Sequence, residues 1–245
     1  MQNVLITGGS GGIGFAFVKY FLERPDTCVW ATYRSGDTGL KTLQAAYPDR
    51  LRYLKMDITE EQDIIQIVEA IKQKTDRLHY VINCIGFLQE GTIQPEKNLR
   101  SLKADNLIRY FQVNSIGAVL LAKHLVPLFK HEQRSVFATI SAKVGSIGDN
   151  QLGGWYGYRA SKAALNMFMR SVAIEYQRTC PQTIVVLLHP GTTATNLSLP
   201  FQANVPPEKL FSPDRAVSQL IAVLEQRQIT ETGSFWSWDG SALPW

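Results

Sequence analysis

Hydrophobic positions along the chain follow two alternating patterns. Short apolar runs rich in β-branched residues, typical of buried strands, alternate with longer amphipathic segments typical of helices. The pattern predicts strands at 2–7, 28–33, 51–56, 78–84, 134–140, 183–188 and 233–238, and helices at 15–23, 40–47, 60–74, 104–130, 159–169 and 213–226. No repeat, linker or low-complexity segment divides the series. We therefore predict one α/β domain over residues 1–245, doubly wound, with a mainly parallel sheet and helices on both faces.

Composition supports an intracellular globular protein. Hydrophobic residues make up 45% of the chain and charged residues 19%, which suffices for a substantial core. The formal net charge of +4 is dispersed, so we expect no nucleic-acid partner. The three cysteines and four histidines have no metal-ligand spacing, and we predict no metal. Without a secretory signal or an apolar run approaching membrane-spanning length, the prediction is a cytoplasmic protein with no membrane partner.

A glycine-rich turn follows the first predicted strand. Thr7-Gly8-Gly9-Ser10-Gly11-Gly12-Ile13-Gly14 leads directly into an amphipathic segment. Glycines permit tight backbone turns and close ligand approach, and a helix N-terminus offers free N–H groups to a pyrophosphate. Such a turn can also be a simple connector. Its place at the first strand-to-helix junction favours a dinucleotide site in a Rossmann-type domain.

Several polar and small residues occur where predicted strands end. In doubly wound sheets, ligands bind beyond the carboxyl ends of the strands, where the winding direction reverses. We therefore expect these positions to converge on one site: Gly8 to Gly14, Arg34, Asp57, Asn83 to Gly86, Ser141, and Pro190-Gly191.

The residue at the end of the second strand bears on cofactor choice. A carboxylate there would bind the adenosine ribose hydroxyls and repel a 2′-phosphate. This chain has Arg34 instead, with no acid before Asp37. The planar guanidinium suits a phosphate, which favours NADP(H) over NAD(H). The alternative for Arg34 is an ordinary solvated loop charge.

A tyrosine and a lysine lie four residues apart on the helix predicted after strand five. Tyr158 and Lys162 therefore share one helix face. A nearby ammonium is expected to lower the phenol pKa and make the tyrosine usable as an acid or base. The alternative is an exposed helix on which the tyrosine covers the lysine stem. Tyr156 has no cation at this spacing and is given no role.

Together these motifs resemble the short-chain dehydrogenase/reductase family along essentially the whole chain. Thr7-Gly8-x-x-x-Gly12-x-Gly14 is similar to its cofactor turn, Asp57-Ile58-Thr59 to its adenine-contacting segment, and Asn83-Cys84-Ile85-Gly86 to its Asn-Asn-Ala-Gly motif with two substitutions. The resemblance implies that the cofactor is contacted by Thr7, Gly8, Gly9, Ser10, Gly12, Ile13, Gly14, Arg34, Asp57, Ile58, Asn83, Cys84, Gly86, Lys162, Pro190, Gly191, Thr192, Thr193 and Thr195.

The resemblance also implies a reaction, the transfer of hydride between NADP(H) and a carbonyl or alcohol. Tyr158 would be the general acid or base, Lys162 would lower its pKa and hold the nicotinamide ribose, and Asn114 would retain a water in the proton relay. The segment 153–159 and the end 239–245 resemble more narrowly the C-factor and sniffer-type carbonyl reductase branch. A sensor or signalling protein with little turnover is the alternative; an epimerase or dehydratase is disfavoured because no sizeable substrate domain follows.

One departure from the family pattern concerns the residue that polarises the substrate carbonyl. The family places a serine pair after strand five, whereas Ser141-Ala142 occurs here. We expect Ser141 to take the role through a shift of one residue, ahead of Ser146; the alternative is that Ser141 merely ends the strand. Loss of such a donor costs about two to three powers of ten in rate.

Three further expectations concern the surroundings of the site. The loops 87–101 and 196–211 are expected to determine substrate choice. A stripe of Ala160, Ala164, Met167 and Ser171 on the Tyr158 helix favours a homodimer or homotetramer, with intramolecular burial as the alternative. His189 and Cys84 are interpreted as packed side chains rather than catalytic ones.

Overall fold

A computed structural model covering residues 1–245 contains a seven-stranded sheet in which every strand pairing is parallel. The strand order is β3-β2-β1-β4-β5-β6-β9. The bounds are β1 Gln2–Thr7, β2 Thr27–Tyr33, β3 Leu51–Lys55, β4 Tyr80–Asn83, β5 Ser135–Ile140, β6 Thr183–His189 and β9 Ser234–Ser237. Two short strands, β7 Thr192–Thr193 and β8 Leu210–Phe211, form a separate parallel pair. The predicted sheet is confirmed.

Helices cover both faces of the sheet and create two apolar cores. They are α1 Gly12–Leu22, α2 Thr38–Ala46, α3 Glu61–Lys72, α4 Ala104–Phe111, α5 Gly117–Phe129, α6 Tyr156–Thr179 and α7 Pro213–Gln226. One core joins the sheet to α3, α5 and α6, and the other joins it to α1, α2 and α7. Because both faces are covered, β5 and most of β6 are buried at successive positions, which explains their predominantly apolar sequences.

Three helices differ from the sequence prediction. α1 begins at Gly12 and α6 at Tyr156, each three residues earlier than expected, and α6 ends at Thr179, ten residues later than expected. The segment predicted as one helix over 104–130 is interrupted by a π-helical turn at Gln112–Ile116. Such turns often occur at functional sites, and this one contains Asn114.

The continuous helical segment Ala104–Phe129 is 26 residues long and apolar enough, by length and composition, to cross a membrane. The expectation that no apolar run reaches that length is therefore wrong. Half of its apolar stretch is buried inside the protein, and Leu121 and Leu125 pack in the core beneath the sheet. A core helix passes the same length and composition test as a membrane span.

The order of the strands determines where in the sheet a ligand site can lie. β1 is paired with β2 on one side and with β4 on the other, so the winding direction reverses between β1 and β4. The loops that follow these two strands diverge and leave a crevice at their carboxyl ends.

Candidate active site

A cleft of about 770 Å³ lies at the carboxyl ends of the strands. This volume is within the range of small-molecule and cofactor sites. Most of the predicted site residues line it: Gly8, Ser10, Gly12, Ile13, Gly14, Arg34, Asp57, Ile58, Cys84, Gly86, Ser141, Tyr158, Lys162, Pro190, Gly191, Thr192, Thr193 and Thr195. The structure therefore brings together residues from the glycine turn through to the segment after β6.

The glycine turn leaves space that side chains would fill. A Cβ on Gly14 would lie 2.1 Å from the carbonyl oxygen of Gly8, so the start of α1 could not approach β1 this closely with any other residue. Gly8 and Gly12 have φ of +73° and +52°, in the left-handed region that favours glycine. The N-terminus of α1 faces the cleft, where its free N–H groups suit a pyrophosphate.

Three predicted cofactor residues, Thr7, Gly9 and Asn83, lie behind the wall of the cleft rather than on it. The Thr7 hydroxyl donates to Oδ1 of Asn83 at 2.7 Å, and the same oxygen accepts the Ile85 N–H at 3.2 Å. The Gly9 N–H donates to the carbonyl of Thr32 at 2.7 Å. These bonds hold the turns after β1 and β4 in position. Direct contact between these three residues and a cofactor stays a prediction.

Asp57 is an ionised carboxylate on the wall of the cleft. Its Oδ1 accepts hydrogen bonds from the Thr59 N–H at 2.9 Å and the Thr59 hydroxyl at 2.7 Å. Partial burial raises the pKa of Asp57, but the Thr59 hydrogen bonds and the positive charges of Arg109 and Arg34 lower it further, so the net shift is downward.

Tyr158 and Lys162 are both buried on the cleft side of α6. The Lys162 Nζ lies 5.9 Å from the centre of the Tyr158 ring and donates to the carbonyl of Ile140 at 2.9 Å. It also borders Gly86, where a Cβ would come within 3.2 Å of the Lys162 Nζ and 3.3 Å of the Asn114 Oδ1. The absence of a side chain at Gly86 therefore leaves this end of the cleft open.

The direction of the Tyr158 pKa differs from the prediction. Burial raises the pKa of the Tyr158 phenol above its usual value, and no charge offsets this effect. Burial also lowers the pKa of Lys162, to about 8, although the Cys84 sulfur opposes the change slightly. The expectation that Lys162 lowers the pKa of Tyr158 is therefore wrong for this structure, because both groups are desolvated together and the ammonium points to Ile140. At neutral pH Tyr158 is a protonated phenol.

Asn114 holds the loop that follows β4. Its Oδ1 accepts the Phe87 N–H at 2.8 Å, and its Nδ2 donates to the Phe87 carbonyl at 3.0 Å and to the Ser161 hydroxyl at 3.0 Å. Asn114 is buried and does not line the cleft. Its amide therefore connects the π turn, the loop after β4 and α6 at the level of Lys162.

Ser141 and Ala142 both line the cleft, whereas Ser146 does not. The Ser141 hydroxyl donates to Oδ1 of Asn166 at 2.6 Å. The Ser146 hydroxyl instead accepts the Asp149 N–H at 3.1 Å, away from Tyr158. Of the two serines considered from sequence, only Ser141 is in the cleft. Asn166 was missed, although its spacing of four residues from Lys162 and eight from Tyr158 placed it on the same helix face.

Aromatic side chains surround the Tyr158 end of the cleft. Trp155 packs edge-on against Tyr158, with ring centres 6.3 Å apart, and lies 4.8 Å from the ring of Phe201. Phe87 stacks on Tyr110 at 4.8 Å. Phe87 and Phe201 come from the two loops predicted to determine substrate choice. Trp155 itself lies on the cleft wall.

His189 and Cys84 also line the cleft. Burial lowers the pKa of His189 to about 4, and its Nδ1 has no hydrogen-bond partner. Burial raises the pKa of the Cys84 thiol, with a smaller opposing effect from Lys162. Both side chains are therefore neutral at pH 7, consistent with their interpretation as packed residues.

A parallel doubly wound sheet, a glycine turn at its first crossover and a buried tyrosine–lysine pair at the same edge define a nucleotide-binding oxidoreductase site. A family model described as short chain dehydrogenase matches residues 2–205. The chain belongs to the short-chain dehydrogenase family, as its motifs predicted.

Individual relatives agree with this assignment. A benzil reductase ((S)-benzoin forming) of Saccharomyces cerevisiae is 30% identical over 84% of this chain and 76% of its own length. The C-signal protein of Myxococcus xanthus is 31% identical over 57% of this chain and 79% of its own length. The crystal structure of an NADPH-bound carbonyl reductase from chicken fatty liver superposes with a TM-score of 0.88, at 25% identity and with 100% of this chain and 99% of that chain covered. These similarities confirm the predicted resemblance to the C-factor and carbonyl reductase branch.

Proposed function

We propose that this protein is an NADP(H)-dependent carbonyl reductase in which Tyr158 donates the proton. The observation that carries the proposal is the burial of Tyr158 and Lys162 in the same cleft as the glycine turn. The glycine cradle, the α1 N-terminus and Arg34 fit a phosphorylated dinucleotide, and the chicken and other similar reductases are described as NADPH- or NADP-bound. When bound, the cofactor supplies the hydride.

The protein side chains contribute proton transfer and orientation. Because Tyr158 remains a protonated phenol at neutral pH, it is suited to donating a proton to a carbonyl oxygen as negative charge develops there. For the same reason the ionised form of Tyr158, which alcohol oxidation requires as a base, is scarce near pH 7, so reduction is the direction proposed. Lys162 holds the ribose side of the site, and Asn114 keeps the adjoining loop in place.

The cleft wall supports a proposal for the substrate class. Trp155, Phe87 and Phe201 make the Tyr158 end aromatic and apolar, with few charged groups. We therefore expect aryl ketones, aromatic diketones and quinones to bind better than small charged oxoacids. The similarity to a benzil reductase supports this choice.

A screen of NADPH oxidation tests the proposal. The panel contains benzil, aryl aldehydes, quinones and a charged oxoacid, each compared with NADH as the reductant. Tyr158→Phe is expected to lower kcat/KM by at least about a hundredfold, since it removes only the transferable proton. Tyr156→Phe is the matched control, because Tyr156 is on the same helix but 36% exposed and outside the cleft. Full activity in Tyr158→Phe would refute the mechanism.

A second candidate is an NADP(H)-binding signalling protein of the C-factor type with little turnover. It is favoured by Ala142 in the usual serine position and by the similarity to the C-signal protein. Tight NADPH binding without oxidation on the whole panel would support this candidate over the reductase.

Oligomeric state and location are separate proposals. Met167 and Ile174 are exposed on α6, at successive seven-residue steps from Ala160 along the same helix face, and a symmetry mate would cover this face in a homodimer or homotetramer. A monomeric mass by light scattering at micromolar concentration would exclude such an oligomer.

Cytoplasmic residence is proposed from composition alone and is tested by cell fractionation.

A further inference from the structure

Glu90 lies outside the cleft but is bonded to Arg34, the residue assigned to the 2′-phosphate. The Arg34 Nη2 lies 2.5 Å from the Glu90 Oε1. The other carboxylate oxygen, Oε2, is 3.2 Å from both Nε and Nη2 of Arg109. The Glu90 carboxylate therefore bridges two arginines, one at the end of β2 and the other on α4. Arg34 lines the cleft, whereas Glu90 and Arg109 do not.

The backbone holds Glu90 at this position. The Glu90 N–H donates to the Ile93 carbonyl at 3.1 Å, and the Ile93 N–H donates back to the Glu90 carbonyl at 2.9 Å. This tight turn contains Gly91, whose φ of +56° lies in the left-handed region. These two bonds fix the main chain at Glu90 within side-chain reach of Arg34.

The side-chain charges around Arg34 cancel one another without a bound ligand. Arg34 and Arg109 are positive, and Glu90 and Asp57 are negative. Burial raises the pKa of Glu90, but its hydrogen bond with Arg34 and the two guanidinium charges lower it below its usual value, so it is ionised at neutral pH. An incoming 2′-phosphate would therefore meet an arginine that is already neutralised by an internal anion.

We propose that Glu90 is a cofactor-selectivity residue whose carboxylate competes with the 2′-phosphate of NADP(H) for Arg34. Arg109 retains the Glu90 carboxylate when Arg34 turns to the phosphate, so the displaced acid does not lose every partner. Competition weakens phosphate recognition and reduces the preference for NADPH over NADH below what Arg34 alone would provide. The proposal rests on the assignment of NADP(H) as cofactor.

Adenosine 2′,5′-bisphosphate and AMP are suitable probes, because they differ only in the 2′-phosphate. Their dissociation constants are measured by calorimetry on the full chain at low salt. Arg34 and Glu90 are half and one-third exposed, so solvent screens their pair. Glu90→Gln is therefore expected to tighten bisphosphate binding by about threefold to tenfold while changing AMP binding less than twofold. The gain is expected to shrink as salt is added.

Two further variants complete the experiment. The gain should disappear when Glu90→Gln is combined with Arg34→Gln, since the competition requires Arg34. Glu225→Gln is the matched control, because Glu225 pairs with Arg24 just beyond the far end of α1, and it should leave both affinities unchanged.

The outcomes separate the two proposals. If the wild-type protein prefers the bisphosphate to AMP but Glu90→Gln binds it no better, or more weakly, the competition is refuted and Glu90 instead orients Arg34 or has no effect on it. If neither the wild-type protein nor Glu90→Gln prefers the bisphosphate to AMP, the assignment of NADP(H) itself fails.

Discussion

The hydroxyl of Ser141 donates a 2.6 Å hydrogen bond to Oδ1 of Asn166. The amide of Asn166 is held in this orientation by its Nδ2, which lies 3.4 Å from the Gly145 carbonyl. A serine hydroxyl has one proton, so while it is donated to Asn166 it is not available to a substrate carbonyl. Ser141 therefore presents lone pairs to the cleft, and the adjacent position that would supply a donor is Ala142.

We predict that Ala142→Ser increases the rate of carbonyl reduction. Ala142 lines the cleft, and a hydroxyl there would stabilise the developing oxyanion. Such donors contribute about 10²- to 10³-fold in established sites; without optimised surroundings, about tenfold in kcat is expected. Steady-state measurement of NADPH oxidation gives this change in kcat. Ser141→Ala should cost less than tenfold. A loss of a hundredfold or more in Ser141→Ala, with unchanged thermal stability, would instead identify Ser141 as the donor.

The pH dependence of reduction should have an alkaline limb set by Lys162. The pKa of Lys162 is lowered to about 8 by burial, so its positive charge is lost as pH rises through 8. Tyr158, whose pKa is raised, keeps its proton in this range. The expected profile of kcat/KM is flat from pH 6 to 7.5 and falls above pH 8. A profile flat to pH 10 would show that the Lys162 charge is not required.

Glu96 is predicted to stabilise the start of α6. Its side chain is 2% exposed, its Oε2 accepts the Gly157 N–H at 3.1 Å, and its backbone carbonyl accepts the Trp155 N–H at 2.5 Å. Glu96→Ala removes the side-chain acceptor at a helix N-terminus and should cost about 1–2 kcal/mol in the free energy of unfolding.

Glu96→Gln is the control for this effect. It keeps an acceptor for Gly157 and replaces a buried oxygen, Oε1, that has no hydrogen-bond partner. Chemical denaturation should show that Glu96→Gln is at least as stable as the wild type. A loss of stability in Glu96→Gln as large as that in Glu96→Ala would contradict the assigned role of the acceptor and show that the negative charge itself is needed.

His189 should make the protein less stable in mild acid. Its pKa is about 4 in the folded protein, against 6.5 as the ordinary value. Between these values the unfolded chain binds a proton that the folded protein does not, so the free energy of unfolding decreases as pH falls from about 6.5 to 4. His189→Gln should reduce this loss by about 1–2 kcal/mol.

Urea denaturation at pH 7 and pH 4.5 measures the effect. His79, whose pKa is also lowered by burial, contributes acid sensitivity that remains in the His189 variant. His124→Gln is the control, since its ring contacts the half-exposed Glu61 and lies outside the cleft. An unchanged pH dependence in His189→Gln would contradict the prediction.

The amino-acid sequence by itself determined the architecture and the position of the site. Apolar runs and amphipathic segments report backbone periodicity, which is a short-range property, so the seven parallel strands and their flanking helices followed from pattern. Gly8, Gly12 and Gly14 identified the first crossover, and the four-residue spacing placed Tyr158 and Lys162 on one helix face. Their convergence at the carboxyl edge is a consequence of parallel topology.

Only the tertiary structure decided protonation and pairing. The raised pKa of Tyr158 results from burial by several elements, and a spacing of four residues contains no information about solvent. Glu90 pairs with Arg34 from 56 positions away, and Asn166 takes the Ser141 proton from 25 positions away. Such contacts depend on how the loops after β2, β4 and β5 meet α4 and α6. The local sequence pattern does not specify these contacts between loops and helices, because side-chain direction and desolvation are set by packing between elements distant in sequence.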